Sequence, residues 1–436
     1  RRKQFMPTGD TIHWTDANPR RFSIADRESV TLLTTGLPHH ILNLLQSLLS
    51  TVGLNVEVME EPDNQSLQFG REFGNRGQCN PTYFTVGNLI KYLVHLRDEQ
   101  GMSYEDIVTN YAFVTAGGCG PCRMGMYATE YRKALRDSGF PDFRVLLFTR
   151  SGDVEDILME GLGLNFLTLI KFFVLVEVGD ILNTINLRYR PYEKIPGQAD
   201  ELIYKARLQV QDAIIAKKGF SRALYQARKT IKSIELDRGM KKPMIHIMGE
   251  FWAKTTDGEG NYNLFRFLEK EGAVVSNETL TDWLLHQVWR AKWLSKRKDK
   301  GVNRVKNQLI LATVMIFIRS SFKILCFILG ENFKLSNHAK LAKLAEPYFD
   351  IHVDGGEDHM EVAHHIDLAK KGEVEMIISV KPFTCLSSSG VSDGVQVKVC
   401  EDFPSLEFLA VETNGDSATN FYSRVHMGLQ KVLARY

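Results

Sequence analysis

Thr115-Ala-Gly-Gly-Cys119-Gly-Pro-Cys122-Arg123-Met-Gly-Met-Tyr127 is the stretch whose reading decides the fold. An apolar run over 111–115 enters it and reads as a buried strand, and a helical pattern over 126–138 leaves it. Two thiols three residues apart therefore sit in a glycine-rich turn between a strand and a helix. Parallel α/β folds gather their ligands at such turns, beyond the carboxyl ends of strands.

Outward from this turn the chain alternates. Residues 30–35 read as a strand, 41–52 as a helix closed by Gly53, and 55–59 as a second strand. A polar loop over 61–77, containing Gly70, Gly74 and Gly77, delivers Cys79, and Pro81 and Thr82 open a helix that runs to Asp98. A further strand spans 143–148, and 154–236 is helical throughout. The plan then repeats, with strands at 244–248 and 273–276 flanking a glycine-containing loop at 249–260 and a helix at 263–271. Helical patterns follow at 279–299, 303–329, 336–347 and 359–371, then strands at 375–380, 395–399 and 406–411, and a closing helix at 421–433. Strands alternating with helices imply parallel or mostly parallel sheets. The divisions expected are an irregular leader over 1–26, a first α/β domain over 27–153, a helical joining segment over 154–242 and a second α/β domain over 243–436. The chain begins at Arg1 rather than Met, so an N-terminal portion is expected to be missing.

Composition narrows the function classes. A hydrophobic share of 44% and a charged share of 24% in 436 residues are those of a globular protein with a real core. A net charge of +2 argues against a broad basic surface for nucleic acid. The basic run 290–306 reads as a solvated helix end. Six cysteines in so long a chain are too few for a disulfide framework and fit a reducing, cytoplasmic setting. Residues 1–20 hold no apolar signal segment. The apolar runs 162–185 and 308–329 are interrupted by charges, so both are expected to be buried helices and no membrane contact is expected.

Cys79, Cys119, Cys122 and Cys385 all fall in loops of the kind that face a crevice, whereas Cys326 sits in an apolar helical run and Cys400 closes a strand-like one. Backbone N–H groups and helix N-termini stabilise thiolates in such loops. Glycines at 117, 118 and 120 allow close approach of the backbone to a cluster, Arg123 can balance its charge, and Ser387, Ser388 and Ser389 add hydroxyl donors. Three readings compete: ordinary reduced thiols, a dithiol redox pair of the thioredoxin Cys-Gly-Pro-Cys type, and a metal centre. Gly118 stands where thioredoxins carry Trp. A structural zinc site brings two close ligand pairs. Here one close pair is joined by two distant single cysteines, which suits a cluster held between domains.

Four further strings complete the pattern: Gly74-Asn-Arg-Gly-Gln-Cys79-Asn-Pro-Thr-Tyr-Phe84, Met248-Gly-Glu-Phe-Trp252 with Gly258-Glu-Gly-Asn-Tyr262, Lys381-Pro-Phe-Thr-Cys385, and Gly390-Val-Ser-Asp-Gly394. With the opening stretch, they resemble the 2-hydroxyacyl-CoA dehydratase and benzoyl-CoA reductase superfamily from Asp26 to the C-terminus. The likeness is nearest to the dehydratase-like section found with CoA-substrate-specific enzyme activases, and double-cubane cluster proteins are relatives. The resemblance implies two Rossmann-like or flavodoxin-like domains joined by a helical segment, with an iron–sulfur cluster (a 4Fe–4S cubane or an 8Fe–9S double cubane) in the cleft. It implies three cysteine ligands per subunit, drawn here from Cys79, the Cys119/Cys122 pair and Cys385, with one of the pair the first to be left out. It further implies an ATP-hydrolysing iron–sulfur activase as electron donor, a second dehydratase-like subunit or a homodimer, and an acyl-CoA substrate. One-electron reduction of a 2-hydroxyacyl-CoA to a ketyl radical anion would then let the hydroxyl leave as water. A non-catalytic electron relay is the alternative. Thr384 and Ser387 replace the Gly and Pro expected in close relatives, and no Gly-x-x-x-x-Gly-Lys-Ser/Thr string is present, so the chain is not expected to hydrolyse ATP.

Other candidates are Glu250, which follows the 244–248 strand and is placed for proton transfer, and His39 and His40 after the first strand. His352, His359, His364 and His365 cluster in sequence with Glu361, and Glu361 and His365 share a helix face; a polar helix beside the cleft is the favoured reading there.

Overall fold

The strands form two four-stranded sheets, both parallel throughout. Residues 22–117, 122–148, 162, 164–256, 258–353, 357, 359–390 and 394–435 are described by this computed structural model, so Cys119 lies outside the described residues. The first sheet holds β1 (Thr31–Thr34), β2 (Asn55–Val58), β3 (Tyr111–Ala116) and β4 (Arg144–Phe148) in the order β2-β1-β3-β4. The second holds β5 (Met244–Gly249), β6 (Val274–Asn277), β7 (Met376–Pro382) and β8 (Glu407–Thr413) in the order β6-β5-β7-β8. The same order thus occurs twice. Every residue of β7 is buried, as expected for a parallel strand covered on both faces. In each sheet the chain first moves one way and then crosses to the other side, which opens a crevice between β1 and β3 and between β5 and β7.

The helices, in chain order, are α1 (His39–Ser50), α2 (Asn64–Phe73), α3 (Asn80–Asp98), α4 (Tyr104–Asn110), α5 (Tyr127–Asp137), α6 (Phe166–Tyr189), α7 (Gln198–Ile215), α8 (Phe220–Lys232), α9 (Phe251–Thr255), α10 (Leu264–Lys270), α11 (Leu280–Lys298), α12 (Gly301–Leu329), α13 (His338–Ala345), α14 (Met360–Lys371), α15 (Leu386–Gly390), α16 (Gln396–Asp402) and α17 (Ala418–Leu433). One core lies between β5, β7 and α17, with Ile245, Ile378 and Val425 fully buried; another packs Leu33 and Phe113 against α3 and α5. The largest is purely helical and joins α1, α6, α7, α8, α11 and α12. The 154–242 segment is therefore more than a connector, because helices from both halves share its core.

Three local expectations need correction. The polar stretch 61–77 contains a helix, α2, capped by Asp63, whose side chain accepts from Ser66 N. Its glycine hid the pattern and has a packing purpose: α2 and α3 approach so closely that a Cβ on Gly70 would lie 1.9 Å from the Tyr83 carbonyl oxygen. The alternating Val395-Gln-Val-Lys-Val399 is not a strand; 396–402 is α16, with Val399 buried against Val362 and Ile366 and Gln396 bonded to His365 Nδ1 at 2.8 Å. Tertiary packing overrides the β propensity of its valines. Finally, α12 is not buried: only its last third enters the helical core.

Candidate functional site

Four chain segments, two from each half, turn toward one another at the carboxyl ends of the strands. Cys79 is the N-cap of α3 and is almost fully buried; its Sγ lies 3.2 Å from Thr82 Oγ1 and 3.1 Å from the Tyr127 hydroxyl. Cys122 is the N-cap of a short 3₁₀ turn, Arg123–Met126, and its carbonyl accepts from Gly125 N at 3.3 Å. Cys385 follows β7 and directly precedes α15; its thiol donates to Ser388 Oγ at 3.3 Å. Glu250 follows β5 as the N-cap of α9, its carboxylate accepting from Ala253 N at 3.0 Å. Each of these side chains thus sits where a helical turn begins and free N–H groups are available.

The four groups lie near enough to shift one another's titration. Burial raises the Cys122 thiol to about 11, with further upward pressure from Glu250, Cys385 and Cys79. Cys385 is raised by burial, then by Glu250 and Cys79, against the Ser388 hydrogen bond. Cys79 is raised by burial and by Glu250, while the Thr82 and Tyr127 hydroxyls pull the other way. Glu250 is itself raised, first by burial, with Lys254 and its backbone donors opposing. Tyr127 is raised well above the usual phenol value by burial and the nearby Cys79 and Glu250, so it stays a proton donor. Burial thus pushes all three thiols and the carboxyl toward their neutral forms, and a nearby positive charge would push them the other way.

The cleft is tied shut at its thiol end. Thr384 Oγ1 donates to the Gln78 carbonyl at 3.1 Å, and Arg123 donates from Nε to the Thr384 carbonyl at 3.2 Å and from Nη1 to the Gly77 carbonyl at 2.8 Å. Arg123 thus knits the three cysteine loops together. Thr384 adopts φ = +65°, a left-handed conformation unusual for a β-branched residue. Glu130 anchors the loop before Cys79 by accepting from Asn75 N, Asn75 Nδ2 and Gln78 Nε2 at 3.1, 2.7 and 2.9 Å. Phe84 and Trp252 meet across the halves with ring centroids 5.5 Å apart. Gly249, at φ = +110°, makes the β5 turn possible: a Cβ there would lie 2.3 Å from the Val380 carbonyl oxygen.

The structure thus brings together Cys79, Cys122, Cys385 and Glu250. It places the other candidates elsewhere. His39 pairs with Glu61 at 3.3 Å and His40 is buried toward Arg207, its pKa lowered to about 3, first by burial and then by that charge. Glu361 Oε1 accepts from Ser379 Oγ at 2.5 Å while His365 bonds Gln396, so the pair does not act together. His352 pairs with Asp350 at the surface. Cys326 lies in the helical core. Sequence reasoning missed Thr82, Tyr127, Glu130 and Thr384 as parts of the site. One signal was legible: Cys79-x-x-Thr82 and Cys385-x-x-Ser388 place a hydroxyl three residues after a helix-opening cysteine in both halves.

The donor set fits a thiolate-bound cluster. Three soft sulfur donors from both walls, each with hydroxyl or N–H groups nearby, match what iron–sulfur centres require. Among the described residues, no three His, Cys, Asp or Glu side chains stand close enough to chelate a single ion. A cubane spreads its thiolates over separate irons, so wider spacing suits it better than it suits zinc. Compared with protein-family models and with curated proteins, the chain finds no match.

Proposed function

We propose that the chain is an iron–sulfur protein of the 2-hydroxyacyl-CoA dehydratase-like class, with its cluster in the cleft between the two sheets. The observation that carries this reading is the convergence of Cys79, Cys122 and Cys385 from three separate loops of both halves. These three thiols would hold the cluster, with Cys119 the further candidate. When bound, the cluster would supply one-electron reduction at low potential. Thr82, Tyr127 and Ser388 would donate hydrogen bonds to the sulfurs, which spreads their charge in the dry site. Arg123 would hold the three loops in register through the carbonyls of Gly77 and Thr384. Glu250, beside the thiols and raised by burial, would be placed to pass a proton to a departing hydroxyl. The partners of this reading are an ATP-hydrolysing activase as electron source, a second dehydratase-like subunit or a second copy, and an acyl-CoA substrate. The setting is a reducing cytoplasm.

Anaerobic reconstitution followed by iron and acid-labile sulfide counts tests it. The expected result is about four of each per chain for a single cubane, and loss of most iron in Cys79→Ser and Cys385→Ser. No sulfide-linked iron after reconstitution overturns the reading. Activase-dependent turnover separates an enzyme from an electron relay, and reduction of insulin disulfides dependent only on Cys119 and Cys122 would favour the dithiol alternative.

A further inference from the structure

The helix α12 presents an uncovered apolar stripe. Val302, Val305, Leu309, Ile316, Ile324 and Phe327 recur at helical spacing along its outer face, and Leu309 and Ile316 are 64% and 65% exposed. From Val302 to Phe327 the stripe runs about 37 Å at the rise of an α-helix. Isolated exposed apolar residues are ordinary on a protein surface, but six on one helix face, interrupted by Thr313, Ser320 and Lys323, are not. The stripe has an apolar neighbour. Ser321 Oγ donates to Glu177 Oε1 at 2.7 Å and the Tyr189 hydroxyl donates to Glu331 Oε1 at 2.6 Å, so α6 runs parallel to α12. Stepping back eleven residues along both helices brings the exposed Phe166, Leu167 and Leu169 beside the first half of α12.

Charge distinguishes among occupants. The 29 residues of α12 include no Asp or Glu. At its N-terminal end Lys296, Arg297, Lys298, Lys300, Arg304 and Lys306 are exposed, with Asp299 the single acid among them. By length and composition α12 is able to cross a membrane. Its C-terminal part is nevertheless committed to the helical core through Phe322, Leu325, Cys326 and Leu329. Leaving that core to span a bilayer would expose the faces of α6 and α8 that these residues cover. A helix that is apolar outward, basic at one end and fixed along its inner face is suited to lie in the interface of an anionic bilayer.

We infer that α12, with the start of α6, is a docking surface for an anionic lipid membrane, on which the protein rests without spanning it. The surface lies on the helical core, and the inference does not depend on the thiol cleft. Co-flotation of the full chain with vesicles tests it. Vesicles of phosphatidylcholine containing about one-third phosphatidylserine should capture the protein, and phosphatidylcholine alone should not. Leu309→Asp with Ile316→Asp, at exposed positions that leave the core untouched, should abolish capture while the far-ultraviolet spectrum and melting temperature stay unchanged. Arg304→Gln and Lys306→Gln should each weaken capture about fivefold at low salt, with smaller losses as salt rises. Equal capture by neutral vesicles overturns the inference. So does the absence of capture combined with a concentration-dependent oligomer that the Leu309→Asp, Ile316→Asp variant dissociates, since the stripe is then a contact between copies. Absence of both also overturns it.

Discussion

Lys254→Met should destabilise the protein strongly, and more so as pH rises. Lys254 is essentially inaccessible and its ammonium contacts two carboxylates, Glu278 and Glu357, the latter at 2.7 Å. Glu278 also faces His364 Nε2 at 3.3 Å. Burial alone would raise Glu278, but Lys254 and then His364 hold it well below the usual carboxylate range. Glu357 is raised, first by burial and then by the Glu278 charge, against the pull of Lys254. The signs are therefore opposite. The lowered Glu278 adds stability that is present above its unfolded value and lost as pH falls. The raised Glu357 works against the fold as pH rises. Removing the lysine leaves two buried carboxyls without a cation, a change that costs about 3–5 kcal/mol when both are ionised. At about pH 5 both can take up protons and the loss should fall below about half of that. Glu357→Gln keeps the Lys254–Glu278 pair and removes surplus negative charge, so it should change stability by less than about 1 kcal/mol. Urea unfolding at about pH 5 and about pH 8 provides the comparison. Glu250 caps α9 and accepts from Lys254 N at 3.0 Å, so if the proposed cluster is bound, the lysine variant should also lose its iron faster to a chelator. A loss under about 1 kcal/mol, or one equal at both pH values, would refute the reasoning.

Glu177 in α6 is buried, accepts a hydrogen bond from Ser321, and burial raises it to about 8, with Asp180 adding to the shift. Its raised value means that stability is full below the unfolded value and falls as pH climbs toward 8, so Glu177→Gln should gain on the wild type by about 1.4 kcal/mol per pH unit over that range in pH-dependent melts. Gly249→Ala places a Cβ against the Val380 carbonyl at a backbone angle that L-residues avoid, and should cost more than about 2 kcal/mol in chemical unfolding. Thr384→Gly relieves a left-handed β-branched residue but loses the bond to the Gln78 carbonyl; the two nearly cancel in stability, to within about 1 kcal/mol, while the loosened loop should show as faster hydrogen exchange around Gln78 and Cys385.

Most strands were legible because parallel strands covered on both faces read as short apolar runs: 111–115 and 244–248 differ from β3 and β5 by one residue. Long helices with clear periodicity, such as 279–299, were equally plain. What periodicity could not convey was packing at short range. The α2 helix has few apolar residues and a glycine chosen for contact with α3, so it looked like a loop. The 395–399 stretch alternates like a strand, yet its fate was decided by partners on α14. Of the site, Cys122, Cys385 and Glu250 were visible as strand-end residues, and Cys79 as the residue opening a helix after a glycine-rich loop. Tyr127, Glu130 and Thr384 were not, because their roles depend on contacts across the chain that no local spacing records. The exposure of α12 was hidden for the same reason: its composition suits a core, and only the arrangement of neighbours decides which face is covered.

The repeated strand order has a consequence for how the cleft tells one end of a ligand from the other. In β2-β1-β3-β4 and β6-β5-β7-β8, β3 and β7 occupy the same place, so the loops bearing Cys122 and Cys385 are counterparts. The two walls of the cleft are then built on one repeated strand plan. A strictly symmetric site would accept a ligand in either orientation. Direction has to come from the mismatches between counterparts: Arg123 after one cysteine and Leu386 after the other, and Glu250 after β5 where Thr35 and Gly36 follow β1. Those few substitutions, rather than the shared architecture, would determine which way round a substrate lies.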